Sequence, residues 1–240
     1  MTEAVPSDVH SGSTQALFID SWQVYRKMVD NDYLFHAGAY GCLRRILHAD
    51  FGHPFRFLDV ACGDASMSVR ALNGTAVSHY AGLDISEQAL AIAAENVKAL
   101  GCTASLHACD FACALPNWKE PADLVWIGLS LHHLQTGAKP DAMRAIRSIV
   151  GDGGRLMIYE DASPDGESRD GWLARWDRQK SHWTAYTEAE WSSVTAHVHS
   201  SDYPETDSVW RQLGRDAGFS RVDELYQSPT GLFRLYSFHS

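Results

Sequence analysis

The sequence predicts an α/β protein built on a doubly wound, mostly parallel sheet. Three observations lead there. After Pro54, short apolar runs alternate with amphipathic ones, the pattern of repeated strand–helix units. The first apolar run ends on an acid and enters a turn of small residues, "FLDVACGDAS" (Phe57 to Ser66). Two later runs, "AGLDIS" and "HACDF", also carry an acid at their ends.

Taken in order, the first fifteen residues are small, polar and Pro/Gly/Ser-bearing and read as a frayed tail. Between Ala16 and Ala49 the spacing of Leu17, Trp22, Tyr25, Met28 and Val29, then of Leu34, Leu43, Ile46 and Leu47, is helical, which predicts a cap of two helices. The core follows as "FRFLDVAC" (strand), "SMSVRALN" (helix), "HYAGLDI" (strand), "SEQALAIAAENVKAL" (helix), "TASLHACD" (third strand), "ADLVWIGLSL" (fourth strand), "KPDAMRAIRSIV" (helix) and "GGRLMIYED" (fifth strand). From Ala162 to about Tyr203 the regularity lapses into a Trp- and His-rich stretch too long for an ordinary connection, which predicts an inserted cap. "TDSVWRQLGRDAGF" reads as a helix stopped by Gly218, and "RVDELYQSPTGLFRLYSFH" as two strands around a Ser-Pro-Thr-Gly turn, a terminal hairpin. The expected division is 1–50 tail and helical cap, 51–161 ligand-binding core, 162–205 inserted substrate cap, and 206–240 a helix and hairpin completing the core sheet.

A chain of 240 residues, 45% hydrophobic and 21% charged, can bury one sizeable core. Acidic residues outnumber basic ones, 30 to 20, so the surface repels nucleic-acid backbones and anionic membranes. The five cysteines form no C-x-x-C pair and follow no secretory leader, which fits reduced thiols in a cytoplasm. The longest apolar stretch, "LVWIGLSLHHL", is too short to span a bilayer.

A strand running through a small-residue turn into a helix exposes backbone N–H groups to a ligand. The dinucleotide fingerprint wants G-x-G-x-x-G there, whereas Ala61, Gly63 and Ala65 alternate with one glycine among them. Asp59 and Asp64 flank the turn and would repel phosphate and attract a cation. Asp84 ends the next strand roughly twenty residues on, the separation at which an acid meets ribose hydroxyls. Asp110 and Phe111 end strand three, offering an acceptor to an exocyclic amine and a ring to an adenine face. An adenosine joined to a cation is S-adenosylmethionine. The bland alternatives are that Asp59 caps the turn, and that Asp84 or Ser86 caps the helix after it.

On these blocks, with "ADLVWIGLSLHHL" as a fourth, the chain resembles the class I S-adenosylmethionine-dependent methyltransferases over about Phe55 to Asp161. The resemblance implies a Rossmann-like seven-stranded sheet with an antiparallel last strand. It also implies a cofactor site of Asp59, Ala61, Gly63, Asp64, Asp84, Ile85, Asp110, Phe111 and Leu129, with Tyr25 from the front helices closing over it beside Tyr33 and His36. Ala61 and Ala65 stand where such enzymes usually carry glycine.

Methyl transfer needs two reactants held in line, with a base only when the nucleophile must lose a proton. His132, His133 and Glu160 fall at the carboxyl edge of the sheet and are the candidate catalytic residues, with Asp161 beside them. A metal reading, in which His132, His133, His197 and His199 converge with Glu160, lacks tight ligand spacing, so no metal is assigned; "AHVHS" would put its two histidines on one face only as a strand. In the cap, Trp172, Arg175, Trp176 and Trp183 suit a flat or carboxylate-bearing acceptor, or else form the cap's own core. Strand four lacks the Asn/Asp-Pro-Pro-aromatic box of enzymes that methylate exocyclic amines of DNA bases. The expected function is methylation of a small-molecule acceptor, O- ahead of N-methylation, with no nucleic-acid or membrane partner and with a homodimer allowed. The rivals are a non-catalytic cofactor-binding scaffold and a nicotinamide-dependent oxidoreductase.

Overall fold

A computed structural model describes residues 22–240; the expected tail and Leu17 lie outside them. The described chain opens with helices α1 (Trp22–Asp30) and α2 (His36–Asp50). The core runs β1 (Phe55–Val60), α3 (Ser66–Leu72), β2 (Val77–Asp84), α4 (Glu87–Asn96), β3 (Thr103–Ala108), the short α5 (Phe111–Ala114), β4 (Ala122–Gly128), α6 (Lys139–Ile149) and β5 (Val150–Ser163). Then come α7 (Arg169–Asp177), α8 (Glu188–Ser201), the two-residue β6 (Glu205–Thr206), α9 (Asp207–Asp216), β7 (Arg221–Gln227) and β8 (Phe233–His239).

The strands lie in the order β3-β2-β1-β4-β5-β8-β7, with β6 attached to the end of β5. The first five are parallel, and β8 enters antiparallel between β5 and β7. This is the sheet expected from the sequence, with the terminal hairpin as its last two strands.

Both faces of the sheet are buried, which is why its central strands read as continuous apolar runs. Alternation sends Phe57, Trp126, Met157, Tyr159 and Leu235 to one core with α2 and the cap tryptophans. Leu58, Val125, Ile127, Ile158 and Phe238 go to the other with α6 and α9. The strand order reverses between β1 and β4, so a cleft opens outside their carboxyl ends.

The inserted segment is helical where the sequence reading found no regularity. Helix α8 starts on a capping box, in which Thr187 Oγ1 accepts from the Glu190 N–H at 3.2 Å and the Glu190 carboxylate accepts from the Thr187 N–H at 2.8 Å. Its aromatic side chains face inward between α7 and α8, so the apolar stripe is short and split between two helices. The cap is stitched to α1 by Lys27, whose Nζ donates to Glu190 Oε1 at 2.7 Å, and by the Tyr186 hydroxyl, which donates to the Val24 carbonyl at 2.6 Å. Its far end is held by the buried Lys139, which donates to Glu205 Oε1 at 2.7 Å and to the Tyr203 carbonyl.

Candidate active site

After β1 the chain turns through Ala61, Gly63 and Ala65 with φ of 55°, 53° and 57°. This left-handed backbone costs an L-residue about 1–2 kcal/mol and suits glycine. Ala61 and Ala65 therefore hold a glycine conformation without glycine. The turn directs the Gly63 N–H at Asp84 Oδ2, 2.8 Å away, while Asp84 Oδ1 accepts from the Ser86 N–H at 2.8 Å. Ser86, not Asp84, is the N-cap of α4: its hydroxyl accepts from the Ala89 N–H at 3.2 Å. Asp84 thus joins the first turn to the second, with its charge at the cleft.

Asp59 is buried and accepts from the Tyr80 hydroxyl at 2.7 Å. Burial pushes its pKa up to about 7, against the hydrogen bonds of Ser68 and Tyr80 and helped by the charge of Asp84. Asp64, also buried, accepts from the backbone and hydroxyl of Ser66 at 3.0 and 2.7 Å. Tyr25 covers the turn from α1, its hydroxyl 3.7 Å from where a Cβ on Gly63 would stand, and burial together with Asp64, Asp84 and Asp59 keeps the phenol protonated. The groups bearing on Asp59 and Asp84 are hydroxyls, backbone amides and acids. Among the described residues no cation is named in that set, which suits a cationic ligand. The Cys62 thiol in the same turn is kept protonated by burial and by Asp59 and Asp84.

The remaining predicted contacts follow the carboxyl ends of the second, third and fourth strands. Ile85 follows Asp84 with its side chain exposed at 36%, unusual for a large apolar residue here. Asp110 is exposed and caps α5, accepting from the Ala112 N–H at 2.8 Å, with Phe111 half-buried beside it. Leu129 leaves β4 at φ 53°, its N–H donating to the Tyr159 carbonyl at 2.7 Å. Tyr40 was not foreseen. Its hydroxyl accepts from Trp126 Nε1 at 3.1 Å, and Asp59 and Tyr25 are close enough to raise its pKa further after burial has done so. His36 packs near Tyr40 and Tyr159, is held neutral by burial that lowers its pKa to about 4, and has a buried Nδ1 without a partner. Tyr40 lies in no local motif, so only its spacing from His36 on α2 could have marked it.

The candidate catalytic residues sit differently from a free base. Glu160 is fully buried and accepts the N–H groups of Ser130 and Leu131 at 2.9 and 2.7 Å and of His132 at 3.2 Å, and it contacts His132 Nδ1 at 2.8 Å. It organises the turn after β4. Burial pulls the His132 imidazole down, but Asp161, Asp202 and Glu160 together push it up to about 10. Burial drives the Asp161 carboxyl well upward, opposed by His132 and Lys139 and helped by Asp202 and Glu160. His133 is partly exposed, with Nδ1 3.3 Å from Asp202 Oδ1. His197 joins this group, its ring centroid 5.3 Å from that of His133, whereas His199 turns away to Asp177 at 2.9 Å. The two part because "AHVHS" is helical, where residues two apart point to opposite sides.

The cap residues expected to touch an acceptor are engaged elsewhere. Trp172, Trp176 and Trp183 are 0%, 3% and 4% exposed, so they offer a small molecule almost no surface. Trp176 stacks on Trp172 and Trp191 at 6.0 and 5.9 Å between centroids and meets Trp183 edge-on at 5.3 Å. Arg175 is bound to Glu167 through Nε and a terminal nitrogen at 2.8 and 2.6 Å. This corrects the binding assignment: an inserted pair of helices needs a core, and these aromatics are it.

Residues 57–154 match the methyltransferase-domain family. A demethylmenaquinone methyltransferase of Bacillus cytotoxicus is 32% identical over 111 residues, and the match spans 45% of each chain, less than half of that enzyme. Among solved structures, an O-methyltransferase family 2 protein of Planctomyces limnophilus in complex with apigenin superposes with a TM-score of 0.64 at 18% identity, covering 96% of this chain and 62% of that one. The magnesium protoporphyrin IX methyltransferase of Synechocystis with bound S-adenosylhomocysteine gives 0.63 at 16% identity, covering 95% and 98%. Residues 57–154 are thus similar to a methyltransferase domain, and the fold is that of the two solved methyltransferases.

Proposed function

We propose that the protein is an S-adenosylmethionine-dependent methyltransferase of a small-molecule acceptor, O-methylation ahead of N-methylation. The observation that carries this reading is the left-handed turn at Gly63, locked to Asp84 and flanked by Asp59 and Asp64. S-adenosylmethionine supplies an electrophilic methyl group on a sulfonium. Asp84 accepts from the ribose hydroxyls, Asp59 and Asp64 face the positive charge, and Ile85, Asp110 and Phe111 hold the adenine. Leu129 and Tyr25 close the pocket from opposite sides.

His36, Tyr40 and Leu129 border the acceptor side, in keeping with the strained φ of Leu129 and the orphaned Nδ1 of His36. His132 and Glu160 position this edge and take no proton from the acceptor, so the rate comes from aligning two reactants. The apigenin-bound and porphyrin-methylating neighbours support a small acceptor and favour oxygen. No helix among the described residues is long and apolar enough to cross a membrane, and the cysteines are free, which supports a cytoplasmic place. Calorimetry with S-adenosylmethionine and S-adenosylhomocysteine, followed by a screen of phenols and carboxylic acids for release of S-adenosylhomocysteine, tests the reading. Failure of both ligands to bind ends it; binding without turnover on any acceptor favours a scaffold.

A further inference from the structure

The turn after β4 and the end of α8 bring His132, His133 and Asp202 together from distant parts of the chain. Asp202 Oδ1 lies 3.8 Å from His132 Nε2 and 3.3 Å from His133 Nδ1, and one ligand atom from each residue lies within 4.8 Å of the others. Ligands of a tetrahedral zinc ion with bonds of about 2.0–2.1 Å stand about 3.3 Å apart; His133 Nδ1 and Asp202 Oδ1 already have that separation, and the remaining ligand atom would have to move in to complete the shell.

Three features say that the group is arranged around a missing charge instead of satisfying itself. Among the described residues, the buried atoms His133 Nδ1 and Asp202 Oδ1 make no regular hydrogen bond, although they lie 3.3 Å apart. Asp202 is 5% exposed, so water does not readily relieve it, and a buried acceptor left unpaired costs about 1–3 kcal/mol. Next, Glu160 Oε2 accepts from the His132 backbone N–H at 3.2 Å and lies 2.8 Å from His132 Nδ1, so the carboxylate holds that side of the ring and turns Nε2 to Asp202, 3.8 Å away. A carboxylate behind an imidazole is the usual support of a metal-ligating histidine. Finally, Glu160, Asp161 and Asp202 are all buried around this point, Asp161 Oδ2 is also orphaned, and the nearby Lys139 is engaged by Glu205. Buried carboxylates are paired or hold metals.

We propose that His132 Nε2, His133 Nδ1 and Asp202 Oδ1 bind one divalent transition-metal ion of the zinc class, with a fourth position beside His197. Two imidazoles and one carboxylate suit such an ion, whereas calcium and magnesium take oxygen shells. Bound there, the ion ties the end of the cap to the edge of the sheet three residues after Leu129. The site does not depend on methyl transfer.

The test is direct binding. Metal-depleted protein is titrated with Zn²⁺ by calorimetry and with Co²⁺ by visible absorption, whose bands report tetrahedral coordination. The expected result is one ion per chain, tighter than about 10 µM, with a raised thermal midpoint. His133→Gln, at a partly exposed position, and Asp202→Asn each weaken Zn²⁺ at least tenfold; Glu160→Gln weakens it by about 10–100-fold through His132. His199→Ala, whose ring pairs with Asp177, binds as the parent does. Circular dichroism establishes that each variant is folded. Wild-type protein that binds neither ion, or folded His133→Gln and Asp202→Asn variants that bind as tightly as the parent, would overturn the proposal.

Discussion

The Gly63 amide donates to Asp84 Oδ2 at 2.8 Å, so the turn after β1 and the acid ending β2 move as one unit. Asp84→Ala then has two effects. It removes the acceptor of the Gly63 and Ser86 amides, which costs about 1–2 kcal/mol of stability, and it takes a charged acceptor from the ribose, which weakens S-adenosylmethionine by about 1–3 kcal/mol. Chemical denaturation and calorimetry read the two separately. Lost stability with unchanged affinity would return Asp84 to a purely structural role.

Ala61 and Ala65 stand at φ 55° and 57°, where glycine is relaxed. Ala61→Gly should stabilise the protein by about 0.5–1 kcal/mol, the strain relieved less the extra freedom of the unfolded chain. Ala65→Gly should gain less, because its methyl is buried and losing it forfeits about 0.8 kcal/mol. Thermal midpoints decide, and a fall for Ala61→Gly would mean that its methyl packs more than its backbone strains.

Burial holds the Asp59 pKa near 7. An acid raised in this way stabilises the fold fully below its unfolded value of about 3.9 and loses that contribution as pH rises through about 7. Asp59→Asn should therefore flatten the decline of stability between about pH 4 and 8. The ionised form is the one a sulfonium favours, so affinity for S-adenosylmethionine should rise from pH 6 to 8, with a shallower rise for the uncharged S-adenosylhomocysteine. Calorimetry at three pH values suffices; parallel slopes for both ligands would separate Asp59 from the sulfonium.

Trp176 lies at the centre of the cap's aromatic core, against Trp172, Trp183 and Trp191. Trp176→Ala should destabilise the protein by about 3–5 kcal/mol through the cavity it leaves. Equilibrium unfolding tests this. A raised KM for the acceptor with stability intact would restore the binding role that the sequence first suggested.

These cases show where the sequence was legible. The strand–helix alternation and the antiparallel last strand were legible, the first because its apolar period is carried by neighbouring residues and the second through the family resemblance. The cap was read as irregular because α7 and α8 divide one small core between them, so neither shows a full apolar stripe. His199 was grouped with His197 because a two-residue spacing says nothing until strand or helix is known.

By itself, the sequence determined the strands and the doubly wound class of the sheet, since continuous apolar runs alternating with amphipathic ones oblige the strands to bury both faces. Only the tertiary structure decided that Ala61 and Ala65 are left-handed, that the tryptophans face each other, and that His133 meets Asp202. The physical reason is that burial partners and orphaned charges arise between segments far apart in the chain, where closing the fold, and not the local pattern, sets which atoms face one another.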